Sequence, residues 1–412
     1  MRLVDIHYAT VSTGQTVSIM QHRLTASYQP DIKQSGPPRT HDPAVQRHST
    51  PESPTMKLLH PLTLLAFSLQ GTPALSAPPS DLAVQAGAHV IFSYPGTTPP
   101  QELLDLIAAG KVGGLILFGE NVDDNLPAHI QRFQEVYAAS PAYAGTPLII
   151  STDQEGGEVR RLPGGPESPA RAVGDAKDPV GAATQAGKDA AAALKKYQMN
   201  ANLAPVLDIY REAGDFADEF GRSYGNTSER VDKCASAFIK AQQAEGVLAA
   251  AKHFPGLGAA PTDSNTDEQP VTLDLTVDEL RSKDEAPYQG AMLADVAMVM
   301  AAWAIYPAVD PKMPAGLSEA WIQGELRQRL GYTGVTVTDA IEAGALTAFG
   351  DDSARAILAA QAGMDLLLAA ARNVTQGAVI VDALVAAVED GSVSKEEFDA
   401  GTERIFKLRE RL

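Results

Sequence analysis

The sequence predicts an α/β protein whose main body, residues 81–412, is a single (β/α)8 barrel domain of catalytic type, and three observations carry that reading. Eight short apolar runs recur along those residues, flanked by Gly, Pro or Asp. Longer Ala/Leu-rich stretches with apolar residues at helical spacing separate them. Polar and charged residues gather just after several runs, the end at which such barrels carry their chemistry.

In chain order the runs are Val90-Ile-Phe-Ser93, Gly114-Leu-Ile-Leu-Phe118, Pro147-Leu-Ile-Ile-Ser151, Asn200-Ala-Asn-Leu203, Val247-Leu-Ala-Ala250, Val296-Ala-Met-Val-Met300, Val335-Thr-Val-Thr338 and Met364-Asp-Leu-Leu-Leu368. A strand buried on both faces of a parallel sheet is apolar throughout rather than alternating, which is how these runs read. Between them, 228–246 and 353–363 repeat apolar residues at i, i+3 and i+4, and each stops at a Gly. The Ala-rich stretch 182–197 reads as a helix packed closely on the barrel. A doubly wound open sheet competes on periodicity alone. Against it, Tyr94-Pro-Gly-Thr-Thr-Pro after the first run lacks the glycine fingerprint that cradles a phosphate.

The segment before the barrel reads as processing. Residues 1–55 are rich in His, Gln, Ser, Thr and Pro without sustained apolar periodicity, and are expected to be disordered or untranslated upstream sequence. Residues 56–77 have the parts of a secretory signal peptide: a basic start at Met56-Lys57, the apolar core Pro61-Leu-Thr-Leu-Leu-Ala-Phe-Ser-Leu69 and a small-residue exit at Ala74-Leu-Ser-Ala77. That core falls short of the about 20 residues of a membrane span. Translation from Met56 would give a mature chain starting near Ala77, secreted or periplasmic; unused, the segment would leave the protein cytoplasmic.

The 412 residues carry 33 Lys and Arg against 51 Asp and Glu, a formal charge of −18, which argues against a nucleic-acid partner. The lone Cys234 excludes an intramolecular disulfide and any multi-cysteine metal site. It lies four residues before Phe238, which suits a core thiol. No cofactor, metal or membrane span is expected, and the chain reads as a monomer.

The polar residues after the runs include Asp153-Gln-Glu-Gly-Gly-Glu-Val-Arg-Arg161, Gly221-Arg-Ser-Tyr-Gly225, Lys252-His-Phe-Pro-Gly256 and Asp339. Carboxylates, guanidiniums and an ammonium converging on one mouth suit a polyhydroxylated ligand, since a carboxylate can bridge two hydroxyls and Arg or Lys can hold an acyl oxygen. Trp303, after the sixth run, is placed to stack on a sugar face, whereas Trp321 reads as packing.

These blocks, together with Pro314-Ala-Gly-Leu-Ser318 and Gly334-Val-Thr-Val-Thr-Asp339, resemble in order those of family 3 glycoside hydrolases, above all the single-domain β-N-acetylglucosaminidases of peptidoglycan recycling. The resemblance implies a retaining hydrolase of terminal β-linked N-acetylglucosamine, from cell-wall or chitin fragments, with a covalent glycosyl-enzyme. It implies Asp339 as nucleophile and Asp153, Arg161, Arg222, Lys252 and His253 as sugar-holding residues. Asp339 followed by Ala-Ile-Glu342 could instead cap a helix. Glu155 and Asp208 read equally as loop braces and stay outside the expected site.

The sequence departs from the family at the acid/base. The family's Lys-His-Phe-Pro-Gly-His-Gly is followed by Asp-Ser-His, whose His is the proton donor paired with that Asp. Here the positions are Leu257 and Asp263-Ser264-Asn265. An amide cannot supply a proton to a leaving oxygen and recover it. Of the eight histidines, five precede Ala77, His89 and His129 lie away from the strand ends, and His253 is assigned to the sugar. Three readings follow. Asp267 or Glu268 on the same loop replaces the histidine; or only good leaving groups are hydrolysed, or another acceptor is used; or the barrel is a silent binder of amino sugars or cell-wall fragments.

Overall fold

The structure, a computed structural model, describes Pro79 and residues 81–412. The upstream segment and the leader at Met56 lie outside the described residues. Eight parallel strands close into a barrel: β1 (Val90–Phe92), β2 (Gly114–Ile116), β3 (Ile149–Thr152), β4 (Ala201–Asn202), β5 (Leu248–Phe254), β6 (Met298–Ala301), β7 (Val335–Ala340) and β8 (Leu366–Leu368). They follow one another around the ring in sequence order, and β8 closes on β1 through Val90↔Leu367 and Ile91↔Leu368. The open-sheet alternative is therefore set aside, and each predicted run supplies one strand.

Alternation along each strand explains the unbroken apolar runs. Ile91, Ile116, Leu248, Ala250, Met298, Met300, Val335, Val337, Leu366 and Leu368 form one buried cluster inside the barrel. Their neighbours Val90, Phe92, Leu115, Ile150, Ala249, Val299 and Leu367 belong to a second cluster shared with the surrounding helices. Both faces are thus removed from water. Ile405 and Leu408 of the last helix, Lys395–Arg409, join the interior cluster. That helix is tied down by buried Arg409, whose guanidinium donates to the Tyr137 hydroxyl (2.5 Å) and the Gly113 carbonyl (2.6 Å).

The predicted helices appear as Pro179–Lys196, Ser228–Ala244 and Asp352–Ala362. The last ends on Gly363, whose φ of 96° is the left-handed cap that only glycine adopts readily. Cys234 is fully buried and its thiol is pushed up to about 11 by that burial, as suits a packing residue. Trp321 is buried, edge-on to Phe254 and Tyr306. No described helix is long and apolar enough to cross a membrane.

Two strands carry an extra residue where they reach the mouth. Between β5 and β6 the pairing steps from Ala251↔Val299 to Phe254↔Ala301, three residues against two. Between β7 and β8 it steps from Val337↔Leu366 to Ala340↔Leu368. Each is a β-bulge, a device that redirects side chains. In β5, Leu248 and Ala250 point inward, yet Phe254, of the same parity, packs outward against Tyr288. Lys252 and His253 sit in the first bulge, Thr338 and Asp339 in the second.

Candidate active site

The hairpin after β3 is built to return its own chain. Gln154–Gly156 pairs antiparallel with Val159–Arg160 through a turn at Gly156 and Gly157, whose φ values of 127° and 58° require glycine. Buried Gln154 locks it: its Oε1 accepts from the Arg161 and Leu162 amides (3.1 and 3.0 Å), and its Nε2 donates to the Leu162 and Gly165 carbonyls (3.1 and 2.9 Å). Arg161 is thereby set beside Asp153, 4.0 Å between Nε and Oδ2.

Lys252 reaches this hairpin from the β5 bulge. Its ammonium bonds Asp153 Oδ1 and Glu155 Oε1, both at 2.8 Å. Arg222, from the loop after β4, grips Glu155 with two parallel bonds of 2.9 and 2.8 Å. Burial opposes ionisation of Glu155, but Arg222 and Lys252 outweigh it and hold the carboxyl well below the usual range. Asp153 is lowered for the same reason, against its own burial, by Lys252 and Arg161. Glu155, left out of the expected site, is the strut between its two cations; its place two residues after Asp153 was the available signal. Lys252 is only 3 % exposed at its side chain, whereas Asp153 and Arg161 reach 16 % and 30 %. The hairpin pair therefore faces the mouth, and the buried Arg161 Nε–H has no hydrogen-bond partner among the described residues.

His253 is fixed by Asp208. Burial works against the Asp208 charge, but the Nδ1 contact at 2.7 Å and the His253 and Leu257 amides, at 3.3 and 2.7 Å, keep it ionised. An ionised acceptor makes Nδ1 the protonated nitrogen and leaves Nε2 to act outward. Asp208 is thus the brace of the Lys252–Gly256 turn.

Asp339 sits half-buried at the end of β7, and its carboxylate accepts from the Ala340 amide at 2.8 Å. The helix-cap alternative does not hold: β7 runs to Ala340, the 3-10 helix Gly344–Phe349 that follows has Ala343 at its cap position, and the next α-helix, Asp352–Ala362, is capped by Asp351. Trp303 is 1 % exposed and gives its indole N–H to the Ala340 carbonyl at 2.8 Å. The expectation that it stacks on a sugar is corrected accordingly: burial leaves its faces to packing, and it braces the Asp339 turn.

The loop 261–270 closes over this mouth. The Gly344 and Ala345 amides donate to the Asp267 and Thr266 carbonyls, at 2.7 and 3.0 Å, tying the loop to the segment after Asp339. Val271–Thr272 then pairs with Ala304–Tyr306 beyond β6. Asn265 is spent locally, accepting from the Asp267 amide (2.9 Å) and donating to Glu268 Oε1 (3.1 Å). Asp263 and Glu268 are exposed. Asp267 turns inward, where burial and the facing Asp339 carboxylate push its carboxyl up to about 6, against the pull of Arg222 and His253. The structure thus gathers Asp153, Arg161, Arg222, Lys252, His253, Asp267 and Asp339, with Asp263, Asn265 and Glu268 on the outer loop. A carboxyl raised to about 6 and set against a second carboxylate across a polar mouth can serve as acid beside a nucleophile.

Comparison with known proteins agrees with this architecture. The model of the glycosyl hydrolase family 3 N-terminal domain matches residues 83–408. The chain is 58% identical over 332 residues to an uncharacterized secreted glycosyl hydrolase of Arthroderma benhamiae, covering 81% of this chain and 94% of that one. It is 32% identical over 318 residues to a beta-hexosaminidase of Idiomarina loihiensis, covering 75% and 91%. A solved family 3 beta-N-acetylglucosaminidase from a Paenibacillus species superposes with a TM-score of 0.75 at 34% identity, over 80% of this chain and 62% of that one. A closed eight-stranded parallel barrel with its polar residues at the C-terminal strand ends, matched by the family model over nearly its whole length, places the chain in glycosyl hydrolase family 3.

Proposed function

We propose that the chain is a retaining β-N-acetylhexosaminidase acting on terminal β-linked N-acetylglucosamine of chitin or cell-wall fragments, with Asp339 as nucleophile and Asp267 as the acid/base. The observation that carries the reading is a loop hydrogen-bonded to the segment after Asp339, through the Gly344 and Ala345 amides, which turns Asp267 into the mouth, where burial and the Asp339 charge raise its carboxyl to about 6. Asp267, protonated, gives its proton to the leaving oxygen while Asp339 attacks the anomeric carbon. Asp267, now ionised, then takes a proton from the water that releases the sugar. Asp153 and Arg161 hold the sugar's hydroxyl and acyl oxygens, with His253 and Arg222 at the margin and Lys252 bracing from beneath. The silent-binder reading drew on Asn265 leaving no proton donor; a loop that aims Asp267 inward supplies one.

The test uses two β-N-acetylglucosaminides, one with a nitrophenol and one with a sugar leaving group. Asp339→Asn should abolish turnover of both. Asp267→Asn should cost about 10²–10⁴-fold on the sugar-leaving substrate and far less on the nitrophenyl one. Equal losses on both substrates would remove Asp267 from the acid role, and saturable N-acetylglucosamine binding without any turnover by the unaltered protein would favour the binder. We further propose export after cleavage near Ala77, in keeping with the secreted relative; N-terminal sequencing of protein from the culture medium checks it.

A further inference from the structure

We infer that Phe220 is the stacking platform for the sugar on the leaving side of the cleaved bond. The inference rests on the hydrolase reading above and names a contact for the part of the substrate that departs.

Among the described residues the exposed large apolar side chains are Tyr143, Val180, Phe220, Leu293 and Val379. Tyr143 lies in the connection leading into β3, at the opposite end of the barrel, and Val180, Leu293 and Val379 belong to the outer helices. Phe220 alone stands in a strand-to-helix loop at the mouth. It is 43% exposed and two residues before Arg222, whose guanidinium is already fixed in the site by Glu155.

Its backbone is as unusual as its exposure. The φ of Phe220 is 58°, in the left-handed region that a bulky side chain avoids. Among the described residues the other non-glycine residues there, Gln198, Asp295 and Arg372, are polar. Nor is the ring exposed because the loop is loose. Arg171 bonds Asp218 at 2.5 Å and lies over the Tyr210 ring at 3.8 Å. Asp215 accepts from the Arg211 and Glu212 amides, at 2.9 and 2.6 Å, and Phe216, Ala217 and Asp218 are buried. Gly221 packs against Pro169. A clamped loop therefore presents an aromatic ring to water from a costly backbone conformation, an arrangement that gains when a ligand covers the ring.

The apolar C–H face of a pyranose fits such a ring, and its position selects which sugar. On the reading above, Asp153 and Arg161 hold the sugar that Asp339 attacks, with His253 at its margin. Phe220, in the loop that carries Arg222, is more exposed than Asp153, Arg161 or Arg222, so its ring belongs to the outer part of the mouth, through which the leaving sugar departs. A second β-linked N-acetylglucosamine is the occupant to which the geometry points.

The experiment compares Phe220→Ala and Phe220→Tyr on the β-linked N-acetylglucosamine disaccharide and on N-acetylglucosaminyl fluoride, whose leaving group has no ring. Phe220→Ala should lower kcat/KM for the disaccharide about five- to tenfold, Phe220→Tyr should restore it, and the fluoride should change less than about twofold. An equal loss on both substrates, or no loss on the disaccharide, overturns the platform. If the unaltered protein turns over neither substrate, the hydrolase reading fails separately. Calorimetry in the Asp339→Asn background still decides the platform: the disaccharide must bind more tightly than the monosaccharide, and Phe220→Ala must erase the difference. Equal binding of the two sugars, or a difference that survives Phe220→Ala, overturns it.

Discussion

Trp303 gives its only donor to the carbonyl next to Asp339. Replacing it with Phe keeps most of the ring and removes the N–H, leaving the Ala340 carbonyl with the Ala343 amide alone, at 3.2 Å. Losing one such hydrogen bond costs about 0.5–1.5 kcal/mol. Trp303→Phe should therefore lower the melting temperature modestly and reduce kcat more than it raises KM, because the turn it steadies carries the nucleophile; steady-state kinetics beside a thermal melt separates the two. Asp267 makes a sharper demand. A proton donor works only while protonated, so with its carboxyl at about 6 the kcat/KM for sugar-leaving substrates should fall as pH rises through about 6. The same limb should vanish for nitrophenyl substrates, and a pH profile that keeps it on both would reject the assignment. At this scale the sequence was legible where residue type announced its chemistry, at Asp153, Arg161, Lys252 and Asp339. It offered Asp267 and Glu268 together and could not choose between them, because the choice depends on which way a loop turns. Glu155 and Asp208 read equally as braces or as ligand contacts, and bracing is what they do: each acts through other side chains.

The strands were legible because burial on both faces leaves an apolar signature, but their ends were not. The fifth run reads as ending at Ala250, whereas β5 continues through Lys252 and His253 to Phe254. Polar residues look like loop in a sequence; here they are strand because Asp153 and Glu155 pair with the Lys252 ammonium and Asp208 accepts from the His253 imidazole. The loop that carries Asp267 depends in turn on Gly344. A Cβ there would come within 2.2 Å of the Glu268 carbonyl oxygen, backbone against backbone. Gly344→Ala should push this loop off the mouth. Hydrolysis of sugar-leaving substrates should drop about tenfold or more, as acid catalysis is lost, while the barrel still melts cooperatively. Unchanged activity would mean that the loop does not need this anchor.

For the molecule as a whole, several buried acids resist ionisation. Burial raises Glu342 to about 7, Asp284 to about 6 and Asp267 to about 6. Each favours the folded state below about pH 4, where the unfolded chain is protonated too, and that advantage is lost as pH climbs through 6 to 7. His89, lowered to about 4 by burial, works oppositely and regains its contribution between about 4 and 6.5. Three groups against one, on a chain of net charge −18, predict a melting temperature higher at pH 5 than at pH 8. Glu342→Gln should flatten that slope, as differential scanning calorimetry across the range would show. The two bulges have a further consequence, for how the gene tolerates change. Losing one codon from a barrel strand normally throws every later side chain onto the wrong face and destroys the fold. In β5 and β7 the ladder already holds one residue too many, so removing the codon for His253 or for Asp339 would bring the strand back into step with its neighbour. At these two places in the reading frame, a single-codon deletion should yield a protein that folds as a barrel and has no chemistry.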